Sequence, residues 1–118
     1  MTGIQFLEVL KICMEWYDVE TIAHCARVVK NLEKDMLFEF LPEENQNDLK
    51  ALAICHDLLE DTKIVNSEDF NRLIELGVSM PKLKILTRNK NDSYDKYIQM
   101  CLSNPDTRIV KCADMRDH

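Results

Sequence analysis

Two glycines and three prolines in 118 residues leave few points at which the backbone is forced to turn, and no strand-length stretch alternates β-branched with polar residues. Apolar residues recur at helical spacing instead. Phe6, Leu7, Val9, Leu10, Cys13, Met14 and Tyr17 predict a first helix ending near Asp18, and Ile22, Ala23, Ala26, Val28 and Val29 a second from about Val19 to the region of Leu32. "KDMLFEFLP" predicts one or two helical turns stopped by Pro42. A long helix should then run from roughly Glu43 to Glu60. Asn66 or Ser67 can cap a short helix that Gly77 closes, and Ser79 with Pro81 starts another through Leu83, Ile85 and Leu86. "RNKND" reads as a loop and "SYDKYIQMCL" as a helix. Asn104 and Pro105 open a last helix through "RIVKCADMRDH". The expected fold is all-α, a single-domain helical bundle over residues 1–118.

A formal charge of −6 argues against a surface built to grip nucleic-acid phosphates. Any phosphate handled here needs a metal or a local basic cluster. Cys13, Cys25, Cys55, Cys101 and Cys112 are an odd number without C-x-x-C spacing, inside apolar helical stretches, and read as reduced, buried thiols. No run is long and apolar enough for a membrane span, and the first residues lack a signal-peptide layout. The expectation is a cytoplasmic protein with no nucleic-acid or membrane partner; oligomeric state is not legible.

From Leu49 to Leu59 apolar groups surround the helix axis, yet the segment carries His56 and Asp57 in its most hydrophobic turn. An ionised carboxylate costs several kcal/mol to bury without a positive, hydrogen-bonding partner. His56–Glu60 and Asp57–Asp61 are i,i+4 pairs, so a second acidic pair follows one turn along the same side. Three carboxylates and an imidazole on one patch call for a cation, and this donor set suits Mn²⁺, Fe²⁺ or Zn²⁺. His24 in "TIAHCARVV" and Asp114 in "RIVKCADMRD" place ligand-type groups in two further apolar helices.

The order His24, His56-Asp57, Asp114 resembles the metal signature of HD-domain phosphohydrolases. More narrowly, "AICHDLLEDT" is similar to the His-Asp-x-x-Glu-Asp-Thr segment of the hydrolase domain in RelA/SpoT-type alarmone enzymes, which remove pyrophosphate from (p)ppGpp. "ILTRNKNDSYDKYIQMCLSNPDTRIVKCADMRD" resembles that family's stretch from Leu-Thr-Lys to Val-Lys-x-Ala-Asp. The likeness covers roughly residues 50–117. It implies an HD-type helical domain with one Mn²⁺ on His24, His56, Asp57 and Asp114, and with Glu60 and Asp61 serving the attacking water. It also implies a small-molecule nucleotide substrate and a nucleotide contact at His118, where the family commonly has Asn. The family's basic, Gly-containing loop before its first His is replaced by "WYDVETIAH", which has no Arg, Lys or Gly. Family members continue into further helices, so a chain ending at His118 reads as a shortened form.

Two competitors stand beside this reading: another HD-domain phosphohydrolase such as a nucleotidase, and a non-catalytic helical module that senses a ligand or is purely structural. Residue by residue, Asp57 could pair with Arg27 or Arg116, and Asp114 with Arg88 or Lys111. Tyr94 and Tyr97 fit a packing stripe as readily as a substrate wall and are read as core, and Lys111 reads as a surface charge or ion-pair partner more than as a phosphate clamp. Cys25 and Cys55 are set aside as ligands because neighbours on a helix diverge by about 100°.

Overall fold

The computed structural model describes residues 1–117 and is helical throughout, with no strand among the described residues. Local chemistry sets the element ends. Thr2 and Gln5 form a reciprocal capping box that starts α1 (Gly3–Trp16), and Asp18 accepts from the Thr21 N–H to start α2 (Val19–Glu33). "FEF" makes a single 3-10 turn at Phe38–Phe40. Pro42 then opens α3 (Glu43–Cys55), whose first turn carries Glu43 and Glu44, the sign the helix dipole favours there.

The long helix expected to reach Glu60 is broken at His56 and Asp57. The His56 ring places Nδ1 2.6 Å from the Ala53 carbonyl oxygen, while its backbone N–H reaches the same oxygen only at 3.5 Å. A side chain competing for a main-chain acceptor ends the regular ladder. Asp57 takes φ −98°, ψ −1°, and one further turn, α4 (Leu58–Asp61), follows with the Asp61 N–H bonded to the Asp57 carbonyl. Thr62 closes it by donating its hydroxyl to the Leu58 carbonyl at 2.7 Å.

Ser67, not Asn66, caps α5 (Glu68–Leu76), and Gly77 ends it at φ 101°, a left-handed conformation that glycine adopts without steric cost. Ser79 caps α6 (Met80–Leu86), Ser93 caps α7 (Tyr94–Leu102), and Asn104 with Pro105 starts α8. Helix α8 (Pro105–Met115) stops short of the expected end: the Arg116 and Asp117 N–H groups bond back to the Cys112 and Asp114 carbonyls in a terminal turn.

Helix α3 is the axis of the bundle, packed by α1, α2, α6 and α8, and Ala51 to Cys55 are essentially inaccessible. At roughly 25 cal/mol per Å² of apolar surface removed from water, such all-round burial makes α3 the main anchor of the core. Tyr17, just past the end of α1, is tied to it by donating to the Ile54 carbonyl at 2.7 Å. The radius of gyration, 13.3 Å, sits beside the roughly 13.5 Å expected of one folded domain of this length. No helix among the described residues is long and apolar enough to cross a membrane. The five cysteines are free thiols, four buried and Cys112 half-buried, with Cys13 and Cys55 facing each other at 3.6 Å. Tyr97 is core at 9% exposure, but Tyr94, at 51%, lies outside it: the first residue of α7 faces solvent, with Arg88 over its ring.

Candidate metal centre

Three elements that α3 holds together bring His24 (α2), His56 and Asp57 (the break after α3) and Asp114 (α8) to one point. His24 Nε2 lies 2.9 Å from Asp114 Oδ1 and 3.8 Å from Asp57 Oδ2. His56 Nε2 lies 3.3 Å from Asp114 Oδ1 and 3.4 Å from Asp57 Oδ1. Ligand atoms about 2.1 Å from a common ion stand about 3.0 Å apart in an octahedron and about 3.4 Å apart in a tetrahedron. The four separations bracket those values. One donor atom each from His24, His56 and Asp57 lies within 4.8 Å of the other two.

The orientation of the rings matters more than their proximity. His56 donates Nδ1–H to the Ala53 carbonyl, which can only accept, so in the neutral ring Nε2 carries a lone pair. That Nε2 is buried and completes no hydrogen bond among the described residues, although two carboxylate oxygens lie within 3.5 Å. His24 donates Nδ1–H to Asp117 Oδ2 at 2.6 Å, and its Nε2 meets Asp114 Oδ1. Both rings therefore turn a lone pair, when neutral, toward carboxylate oxygens. Lone pairs facing lone pairs in a buried setting require a cation between them, either protons or a metal ion. The residues present fit a divalent ion.

Charge balance around the cluster follows the same logic. Burial pulls His56 toward neutrality, but Asp114, Cys25 and Asp57 outweigh it and raise its pKa well above the ordinary histidine value. Burial alone would raise the Asp114 carboxyl; the facing His56 ring and the hydrogen-bonded Lys111 ammonium hold it well below the carboxylate range. Asp61 is pushed upward by partial burial and by the charges of Asp57 and Asp18.

Sequence reasoning missed three supporting groups. Asp117 anchors His24 and is itself held by Arg27 Nε at 2.8 Å, so Arg27 serves Asp117 and not Asp57. The Cys25 thiol packs on the site at 3.7 Å from Asp57 Oδ2 and 3.9 Å from His56 Nδ1; only Cys55 turns away, toward Cys13. Burial keeps Cys25 protonated, as a weak donor to Asp57. Arg116 pairs with Asp35, and Asp114 takes Lys111 at 2.9 Å instead of Arg88. The i,i+3 spacing of Lys111 and Asp114 was readable; the Asp117 contact depends on the turn after α8 and had no periodic signal.

A cleft of about 310 Å³ opens over the cluster, lined by Glu60, Leu86, Arg88, Tyr97 and Lys111 besides His24, His56, Asp57 and Asp114. Glu60 is fixed at its mouth by accepting the Arg88 backbone N–H at 2.7 Å. Asp61 does not line this cleft. It lines a neighbouring one that shares Glu60 and Arg88 with the first and adds Lys90. The expected substrate contact His118 lies outside the described residues. No family model, curated protein or solved structure matches the chain.

Proposed function

We propose that the chain is a metal-dependent phosphohydrolase of the HD-domain type, with one divalent cation, Mn²⁺ as the resemblance implies, held by His24, His56, Asp57 and Asp114. One observation carries the reading: each imidazole commits its Nδ1 hydrogen to an acceptor outside the cluster, so both Nε2 atoms face the same carboxylates, with His56 Nε2 buried and lacking a hydrogen bond. Ligand histidines are oriented in this way by carboxylate or carbonyl partners.

When bound, such an ion lowers the pKa of a water and neutralises phosphate charge. The remaining work falls to the chain. Asp117 and the Ala53 carbonyl fix the two ring orientations. Glu60, at the cleft mouth, and Asp61, just beyond it, are the carboxylates that receive a proton from attacking water. Arg88 and Lys111 offset anionic charge where the overall balance is acidic.

The narrower assignment is a guanosine polyphosphate pyrophosphohydrolase acting on (p)ppGpp-type substrates. It rests on Glu60-Asp61-Thr62 following His56-Asp57 and on Val110-Lys111-Cys112-Ala113-Asp114 downstream. The test is incubation of purified protein plus Mn²⁺ with ppGpp, GTP and nucleoside monophosphates, scoring both phosphate products. Pyrophosphate from ppGpp supports the assignment. Orthophosphate from monophosphates makes the chain a nucleotidase, and no turnover with metal bound makes it a non-catalytic module.

A further inference from the structure

The cleft has an ingredient that a cation site alone does not need, a nearly buried positive charge in its wall. Lys111 precedes Asp114 by three positions on α8, so the two share a face. Its Nζ is 2.9 Å from Asp114 Oδ2, its side chain is 12% exposed, and it sits 5.0 Å from the centre of the Tyr97 ring. Tyr97 is itself fixed, donating its hydroxyl to the Leu86 carbonyl at 2.7 Å. An ammonium has three N–H groups. Asp114 and the Tyr97 ring are two contacts of Lys111, which also lines the cleft.

The charges lining the cleft reinforce this. Asp57, Glu60 and Asp114 stand against Arg88 and Lys111, and a divalent ion shifts that balance toward positive charge. An anion is held more tightly once the metal has entered.

We propose that Lys111 is the contact for an oxyanion, a phosphate oxygen of the substrate, in the cleft over the cluster, and that this anion site forms only once the metal is bound. The proposal rests on the metal reading above. It differs from a structural role for Lys111 in sign. A cation beside a metal ligand opposes metal binding and favours anion binding, so its removal should shift the two affinities in opposite directions. Loss of a purely structural ion pair would weaken both.

The test titrates Mn²⁺ into metal-free wild type, Lys111→Met and Lys111→Arg, then sub-millimolar orthophosphate into the Mn²⁺-loaded and chelated forms, by calorimetry. Wild type should bind orthophosphate only when Mn²⁺ is present. Lys111→Met should take Mn²⁺ as tightly or more tightly but bind orthophosphate at least ten-fold more weakly, and Lys111→Arg should restore most of the loss. Should Lys111→Met fail to fold by circular dichroism, Lys111→Gln replaces it under the same criteria. Orthophosphate binding by the neutral variant equal to wild type, or binding by wild type regardless of metal, overturns the proposal while leaving the metal reading intact. A wild type that takes no Mn²⁺ overturns both.

Discussion

His56 holds the Ala53 carbonyl through Nδ1 at 2.6 Å, and this one contact both ends helix α3 and aims Nε2 at the carboxylates of Asp57 and Asp114. Those carboxylates favour a proton on His56, and stability should follow that proton. The folded pKa of His56 is raised above its ordinary value of 6.5, so its contribution is complete below about pH 6.5 and is lost as pH climbs through the folded value. Asp114 works in the opposite sense: its folded pKa is depressed, so its contribution is complete above the ordinary 3.8 and is lost as pH falls toward the folded value. Urea unfolding of chelated protein across pH 3–9 should give greatest stability between about pH 4 and 6.5 from these two groups. Mn²⁺ must displace the His56 proton, so its affinity should rise up to about ten-fold per pH unit over the range in which His56 is charged. Calorimetry in buffers of different ionisation heat would register the released proton; no release would contradict the ring assignment.

Asp117 fixes the ring of His24 from outside the cluster, with Arg27 behind it. Asp117→Ala should leave all four ligands in place yet lower Mn²⁺ affinity about 10–100-fold, the usual effect of removing such a partner. Arg27→Ala should act in the same direction but more weakly, because the guanidinium reaches the ring only through Asp117. Equal Mn²⁺ affinity in Asp117→Ala and wild type would mean that the hydrogen bond does not orient a ligand.

Element positions were legible where a cap or breaker marked them: Ser67, Gly77, Ser79 and Asn104-Pro105 act as their chemistry dictates. Asp18, legible only as a helix end, caps α2, and Pro42, legible only as a stop, also opens α3. The break at His56 was not, because apolar residues continue at helical spacing through it and only a side chain competing for one carbonyl interrupts the ladder. The meeting of His24, His56, Asp57 and Asp114 was readable as ionisable groups in apolar helices, since burial makes such residues costly unless they meet. Asp117 lay at a polar chain end that looks solvated in sequence, and only the terminal turn after α8 directs it at His24. Tyr94 and Tyr97 sit three apart on α7 and invite one reading, but the helix start exposes the first and buries the second.

Asp114 has two roles that one substitution should separate. It faces both imidazoles through Oδ1 and neutralises Lys111 through Oδ2. Asp114→Asn should abolish tight Mn²⁺ binding and also destabilise the metal-free protein by about 3 kcal/mol, as expected when one partner of a buried ion pair is removed. Adding Lys111→Met to this variant should recover part of the stability without restoring Mn²⁺ binding. Urea unfolding of the single and double variants in chelator checks the first effect and calorimetry the second.

Glu60 and Asp61 are adjacent in sequence, but Glu60 lines both clefts and Asp61 only the neighbouring one, so they should not fail alike. Glu60 opens onto the cluster and is pinned by the Arg88 N–H, an arrangement suited to accepting a proton from water at the site. Asp61 lines the neighbouring cleft with Lys90, while still feeling the charge of Asp57. Glu60→Gln should keep Mn²⁺ affinity within a few-fold and lower kcat about 10²–10⁴-fold, the range for loss of a general base. Asp61→Asn should also retain metal. If Asp61 shares the proton, the double substitution should cost no more than the worse single one, because groups acting as a unit are not additive. If Asp61 instead positions substrate, its loss should raise KM with less effect on kcat, and the two effects should multiply. Steady-state kinetics of both singles and the double on ppGpp with saturating Mn²⁺ distinguishes these outcomes, and unchanged kcat in Glu60→Gln would remove Glu60 from the chemistry.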